Sequence, residues 1–185
     1  MSVTRTVVLA LLLPLGLGAQ QPAKVTSHYD RVRDSTTMEL DRIGFGAPIQ
    51  LYGVPVSPIG LIVTGRTTGQ ASPIPDTAEF RFVHTSRAFG RGQGFWQFKD
   101  NRTLALLVDD SVRFSATAVK YDTTVVIGLA VETVVFDVPR SILKRIAGSR
   151  ALDGVLGDST RLAFTAEDLA ALHSLFAPLS DKSRP

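Results

Sequence analysis

The side chains best suited to proton transfer or cation binding in this chain are His28, His84 and His173, with the carboxylates Asp30, Asp34, Asp41, Glu79, Asp109, Asp110 and Glu132. Two carboxylates can divide acid and base roles when their surroundings push their pKa values apart, the pattern of a hydrolase acting on a glycan or peptide. Here the pattern is thin. Asp109 and Asp110 are adjacent, so on a strand they point to opposite faces, and they sit in a turn-forming stretch whose side chains satisfy their own backbone. Asp30, Asp34 and Asp41 lack the oxygen-rich spacing and fixed glycine of a calcium loop. The histidines are far apart, and none stands at the i, i+4 spacing that presents two imidazoles to one metal. Isolated histidines more often pack or face water than ligate. No Gly-x-Ser-x-Gly elbow occurs. No catalytic residue, metal site or cofactor is therefore assigned.

A different group carries a binding reading. Arg87, Phe89, Arg91, Phe95 and Trp96 lie close together around Gly90-Arg91-Gly92-Gln93-Gly94, with Phe98 and Lys99 just beyond. Exposed rings beside guanidinium groups can stack on a sugar, a peptide or a lipid headgroup, and these five residues are the candidate ligand-binding set. The competing reading is core packing, since Phe95 and Trp96 point to opposite sides of an extended chain. The glycines do not make a phosphate loop, because no Lys-Ser/Thr follows and no strand-to-helix junction surrounds them.

Strand patterns must position these groups. Met38, Leu40 and Arg42 alternate against Thr37, Glu39 and Asp41, with Gly44, Gly46 and Pro48 ending the run. Gly60 to Thr67 is the next strand, and Glu79 to Thr85 follows with Phe80 and Phe82 on one face. Leu104 to Val108 and Val112 to Phe114 flank Asp109-Asp110-Ser111 as a hairpin. Val125 to Val138 reads as one long β-branched run, with Val131, Thr133 and Val135 alternating against Glu132 and Val134. Pro139 then opens a short helix to Ala147, capped by Gly148. A hairpin joins Ala151–Leu156 to Arg161–Phe164. Thr165 with Asp168 forms a capping box for a last helix whose apolar face is Leu169, Leu172, Phe176 and Leu179. The expected fold is mainly β: an antiparallel twisted sheet or sandwich with two short C-terminal helices.

The first residues have the layout of an export signal. Arg5 is a positive start, Val7 to Leu17 is apolar apart from Pro14, and Gly16, Gly18 and Ala19 supply small residues for cleavage. The expected organisation is a signal peptide over 1–19, a disordered lead over 20–27, one β-rich domain over 28–179 and a flexible tail over 180–185. The apolar run is shorter than the roughly 18 residues that span a bilayer, so no membrane anchor is expected after cleavage. About 165 residues remain, enough for a single domain with a real core. The protein is cysteine-free, so disulfides, thiol nucleophiles and cysteine-based zinc sites are unavailable. Net charge is +3, with 20 basic and 17 acidic residues. The basic residues are scattered, so no phosphate-tracking stripe forms and no nucleic acid partner is expected.

Tyr29-Asp30-Arg31 with Asp34-Ser35-Thr36-Thr37, Phe136-Asp137-Val138-Pro139, Leu143 to Ala147, Asp153-Gly154-x-Leu156-Gly157 and Phe164 to Leu172 together resemble a family of small exported bacterial proteins of unknown function. That resemblance implies a β-rich exported domain and assigns no catalytic residue. The expectation is a secreted or periplasmic, non-catalytic domain that binds an envelope or extracellular partner. The rival readings are a carboxylate-dependent hydrolase and a structural component of the envelope.

Overall fold

Alternation of apolar and polar residues builds two antiparallel sheets whose inner rows meet in one core. The computed structural model describes residues 23–51, 53–69, 74–88, 96–126 and 128–176. The first strands are β1 (Lys24–Asp30), β2 (Ser35–Phe45), β3 (Ile49–Leu51), β4 (Val54–Val56), β5 (Ile59–Thr68) and β6 (Thr77–Arg87). There follow β7 (Thr103–Val108), β8 (Val112–Thr117), β9 (Lys120–Val126), β10 (Leu129–Pro139), α1 (Arg140–Ala147), β11 (Leu152–Leu156), β12 (Thr160–Ala163) and α2 (Ala166–Phe176). The large sheet has the order β1-β2-β5-β6-β10-β9, the small sheet β12-β11-β7-β8, and β3-β4 is a separate ribbon. The chain is thus mainly β, antiparallel, with two helices.

Met38, Leu40, Leu61, Val63, Phe80, Phe82, Val134 and Phe136 of the large sheet pack in the same cluster as Leu104, Leu106, Leu152, Leu156 and Leu162 of the small one. Phe82 sits edge-on to Phe136 with ring centroids 5.9 Å apart, and Phe45 edge-on to Phe164 at 5.0 Å. Such side chains contribute about 1.5 to 3 kcal/mol each on burial, so the paired inner rows are the main source of stability.

Three expectations are corrected. The lead assigned to 20–27 is a strand over Lys24 to Ser27, paired with Asp41 to Met38 of β2. Its sequence is polar because β1 is an edge strand, held by its ladder and little by burial. Arg42 does not share a face with Met38 and Leu40. The register slips between Leu40 and Ile43, so β2 bulges, Arg42 is exposed, and Ile43 and Phe45 take over the inward row through Gly44. Arg42 instead lies over Gly60, where a Cβ would come within 2.7 Å of its Nε and displace the arginine side chain. The run from Val125 to Val138 is two strands, β9 and β10, turned at Gly128 with φ of +73°.

The C-terminal region matches its sequence signals with one difference of connection. Thr165 Oγ1 accepts from Asp168 N at 3.2 Å while Thr165 N donates to Asp168 Oδ2 at 2.8 Å, the reciprocal pair of a capping box. The β11–β12 hairpin does not form a separate unit with the helices. It joins β7 through Leu152↔Val108 to Leu156↔Leu104 and completes the small sheet. Leu179 and the tail over 180–185 lie outside the described residues. Leu169, Leu172, Leu175 and Phe176 of α2 are buried against the core. Phe176→Ala is expected to cost on the order of 3 to 5 kcal/mol, read as a lower urea midpoint at unchanged slope; a midpoint equal to that of the parent chain contradicts this packing.

Candidate functional site

The inner row of β10 contains one acid. Glu132 stands between Ala130 and Val134, both buried, and is itself fully buried. An ionised carboxylate has about four lone-pair sites and cannot stay in a core with them empty. Here all four are filled. Oε1 accepts from the Phe98 amide at 2.8 Å and the Tyr121 hydroxyl at 2.9 Å. Oε2 accepts from the Gln97 amide at 2.9 Å and His84 Nδ1 at 3.2 Å. Since an ionised carboxylate only accepts, His84 carries its hydrogen on Nδ1 in this pair.

Each donor is placed by local structure. His84 stands directly opposite Glu132 in the β6–β10 ladder, on the row of Phe80 and Phe82. Tyr121 lies one strand further out, opposite Val134. The amides of Gln97 and Phe98 come from the segment that leads into β7, and Phe98 is buried with its ring edge-on to His84 at 5.8 Å.

Burial alone would push the Glu132 carboxyl up. The bonds from His84, the Phe98 amide, Tyr121 and the Gln97 amide outweigh it and hold the group below the usual carboxylate range. The Tyr121 phenol is pushed up to about 12, first by burial and then by its bond to Glu132 and that group's negative charge. The Arg102 guanidinium, 4.0 Å from the centre of the Tyr121 ring, acts the other way.

Of the five candidate binding residues, the structure places two. Arg87 ends β6, is exposed, and donates from Nη2 to Gln50 O at 3.1 Å. Trp96 is half-buried, immediately before the Gln97 amide that Glu132 holds. Phe89, Arg91 and Phe95 lie outside the described residues. The ends of the segment between are brought to one place: Ala88 N donates to Gly128 O at 2.9 Å, and Gln97 N returns to Glu132, four residues further along the same chain stretch.

The other carboxylates are spread out. Asp30 accepts from the Val32 amide at 2.9 Å and Asp34 from the Tyr29 hydroxyl at 2.7 Å, both in the β1–β2 turn. Glu79 pairs with Arg81 beside it. Asp109 accepts from the Arg150 and Ala151 amides at 2.7 and 3.0 Å, a turn and bracing role. A Ser-x-x-Lys spacing runs from Ser141 to Lys144 in α1, but both side chains are exposed and no bond joins them. Among the described residues no group of three or more histidines and carboxylates could hold a metal.

The Glu132 network was missed as a site by sequence reasoning, although part of its signal was present: one acid and one histidine each fall on the buried phase of an otherwise apolar alternation. Comparison of the chain with family models, curated proteins and solved structures finds no match.

Because the folded-state pKa of Glu132 is depressed, its stabilisation is fully present above the unfolded value of about 4.3 and is lost as pH falls through the lower folded value. Glu132→Gln places an amide NH2 against two donors, so at pH 7 it is expected to cost roughly 3 kcal/mol or more. The difference from the parent chain should shrink progressively in urea titrations carried down from about pH 4, as pH falls through the lower folded value and the parent carboxylate becomes protonated too. A gap independent of pH contradicts the ionised network.

Proposed function

We propose that this chain is an exported, non-catalytic domain that binds a ligand or partner in the cell envelope or outside the cell. The observation that carries the reading is the saturation of Glu132. The one fully buried carboxylate among the described residues has every lone-pair site occupied, so accepting a substrate proton would require breaking one of its four bonds. It acts as an anchor. What it anchors is the returning end of the segment that holds Phe89, Arg91, Phe95 and Trp96, with Arg87 at the departing end.

An exposed guanidinium group at Arg87 and a half-buried ring at Trp96 suit a stacked ligand such as a sugar or a peptide, because residues beside the ends of a sheet's strands are where binding groups are commonly placed. Export is supported by the order of Arg5, the apolar run Val7 to Leu17 and the small residues up to Ala19. No helix among the described residues is long and apolar enough to cross a membrane. The resemblance to small exported bacterial proteins of unknown function fits the same reading.

Two outcomes are expected. N-terminal sequencing of the protein recovered outside the cytoplasm should give a start near Gln20; recovery of intact Met1 in folded protein from the cytoplasm contradicts export. In a screen against glycan and peptide arrays, Arg87→Ala and Trp96→Ala should each weaken the hits about tenfold at nearly unchanged melting temperature. Hits that survive both substitutions place the surface elsewhere.

A further inference from the structure

The solvent face of the small sheet carries a second feature, independent of the 87–96 segment. It is a shallow trough of about 580 Å3. Along β7, β8, β11 and β12 every second residue enters the core, and the intervening ones form two cross-strand rows on the outside. The register places Arg113, Leu107 and Asp153 in one row, and Ser115, Ala105, Val155 and Arg161 in the next. Asp110 lines the same trough from the β7–β8 turn.

The chemistry of this lining is specific. Arg113 and Arg161 stand on the two outer strands, three strand spacings apart and in neighbouring rows, roughly 16 Å. Asp153 lies between them, diagonal to Arg161, at a spacing where opposite charges on a sheet ordinarily pair. Yet among the described residues none of the side chains of Asp110, Arg113, Asp153 and Arg161 has a hydrogen bond or an ion pair. Between them the floor is apolar and low, formed by Ala105, Leu107 and Val155, the last 38% exposed. Two uncommitted cations and two uncommitted anions over an apolar strip complement an occupant that brings charges of both signs on a flat, extended body.

We propose that this face binds a short extended peptide carrying both a free carboxylate and a free amine. Either guanidinium group takes the carboxylate in the paired geometry that planar forks favour, Asp110 or Asp153 takes the amine, and the aliphatic part lies on Leu107 and Val155. The backbone of four extended residues spans about 13 Å, and with its charged side chains and termini it reaches from one arginine toward the other.

The test uses the full folded chain and the tetrapeptide Ala-Glu-Lys-Ala with free termini, followed by amide-resolved NMR titration. Saturable shifts are expected on β7, β8, β11 and β12. Arg113→Ala combined with Arg161→Ala should weaken binding about tenfold or more, as loss of bonds to charged groups does, and Asp153→Asn should weaken it too. These positions are on the surface, so the melting temperature should hold. A version acetylated and amidated at its ends, with glutamine and norleucine replacing the charged residues, should not bind. The proposal is overturned if no saturable shift occurs at millimolar peptide, if the neutral version binds equally, or if an acidic oligosaccharide shifts this face where the peptide does not. Line broadening that depends on protein concentration alone would assign the face to a second copy and also overturn it. Shifts confined to Arg87 and Trp96 overturn it as well, while leaving the reading of that segment standing.

Discussion

A single buried negative charge joins the two sheets. Glu132 belongs to the large sheet, and two of its four donors are backbone amides of the segment that enters the small one. From Phe98 that segment continues to Asn101, whose side-chain amide donates to Asp158 in the β11–β12 turn, and to Thr103, whose carbonyl accepts from Gly157 N at 2.8 Å. The same few residues therefore touch both sheets, fixed on one side by a carboxylate and on the other by turn contacts. Apolar packing brings the sheets together but is non-directional. The four bonds to Glu132 choose which residues meet, because a misplaced segment would leave a carboxylate in the core without donors.

Asn101-Arg102-Thr103 has the spacing of a glycosylation acceptor, Asn-x-Thr, and lies in this segment. Asn101 gives its Nδ2 to Asp158 and accepts from the Thr103 hydroxyl at 2.8 Å, so both ends of its amide are engaged inside the fold. Its place in the sequence reflects a structural bond. A comparable economy appears at Asp109 and Asp110, which both have positive φ, 49° and 54°, with Ser111 N bonded to Val108 O at 3.1 Å. Aspartate tolerates that region better than most residues. Asp109 also accepts the amides after α1, which lower its carboxyl pKa and tie the β7–β8 turn to the start of β11.

What was legible in the sequence is what one element encodes by itself. The alternation of Phe80 and Phe82 gives a strand and its inner face, Pro139 and Gly148 bracket a helix, and Thr165 with Asp168 marks the start of another. Less legible were elements whose stability comes from neighbours. Lys24 to Ser27 looks like a polar lead because an edge strand needs little apolar content, and the turn at Gly128 is hidden inside a run of β-branched residues. The joining of β11 to β7 depends on residues some 45 positions apart, which no local pattern reports. The Glu132 site was hardest. His84 is 48 residues away from it in the chain, and the amides of Gln97 and Phe98 belong to the backbone, which carries no residue-type signature at all.

Saturating the acid bears on binding as well as on folding. Ala88 and Gln97 are each held by a backbone bond, to Gly128 O and to the Glu132 carboxylate, so the fold fixes the backbone beside Arg87 and Trp96. A ligand of the proposed kind that engaged Arg87 or Trp96 would meet backbone already ordered by the fold, and more of its contact energy would appear as affinity. The trough on the small sheet has the same property by another route, since its charges are carried by regular strands whose backbone the ladder already holds. In both places the backbone is held by interactions that face inward: Trp96 precedes the Gln97 amide bonded to Glu132, and Arg113 and Arg161 stand on strands paired in their ladders.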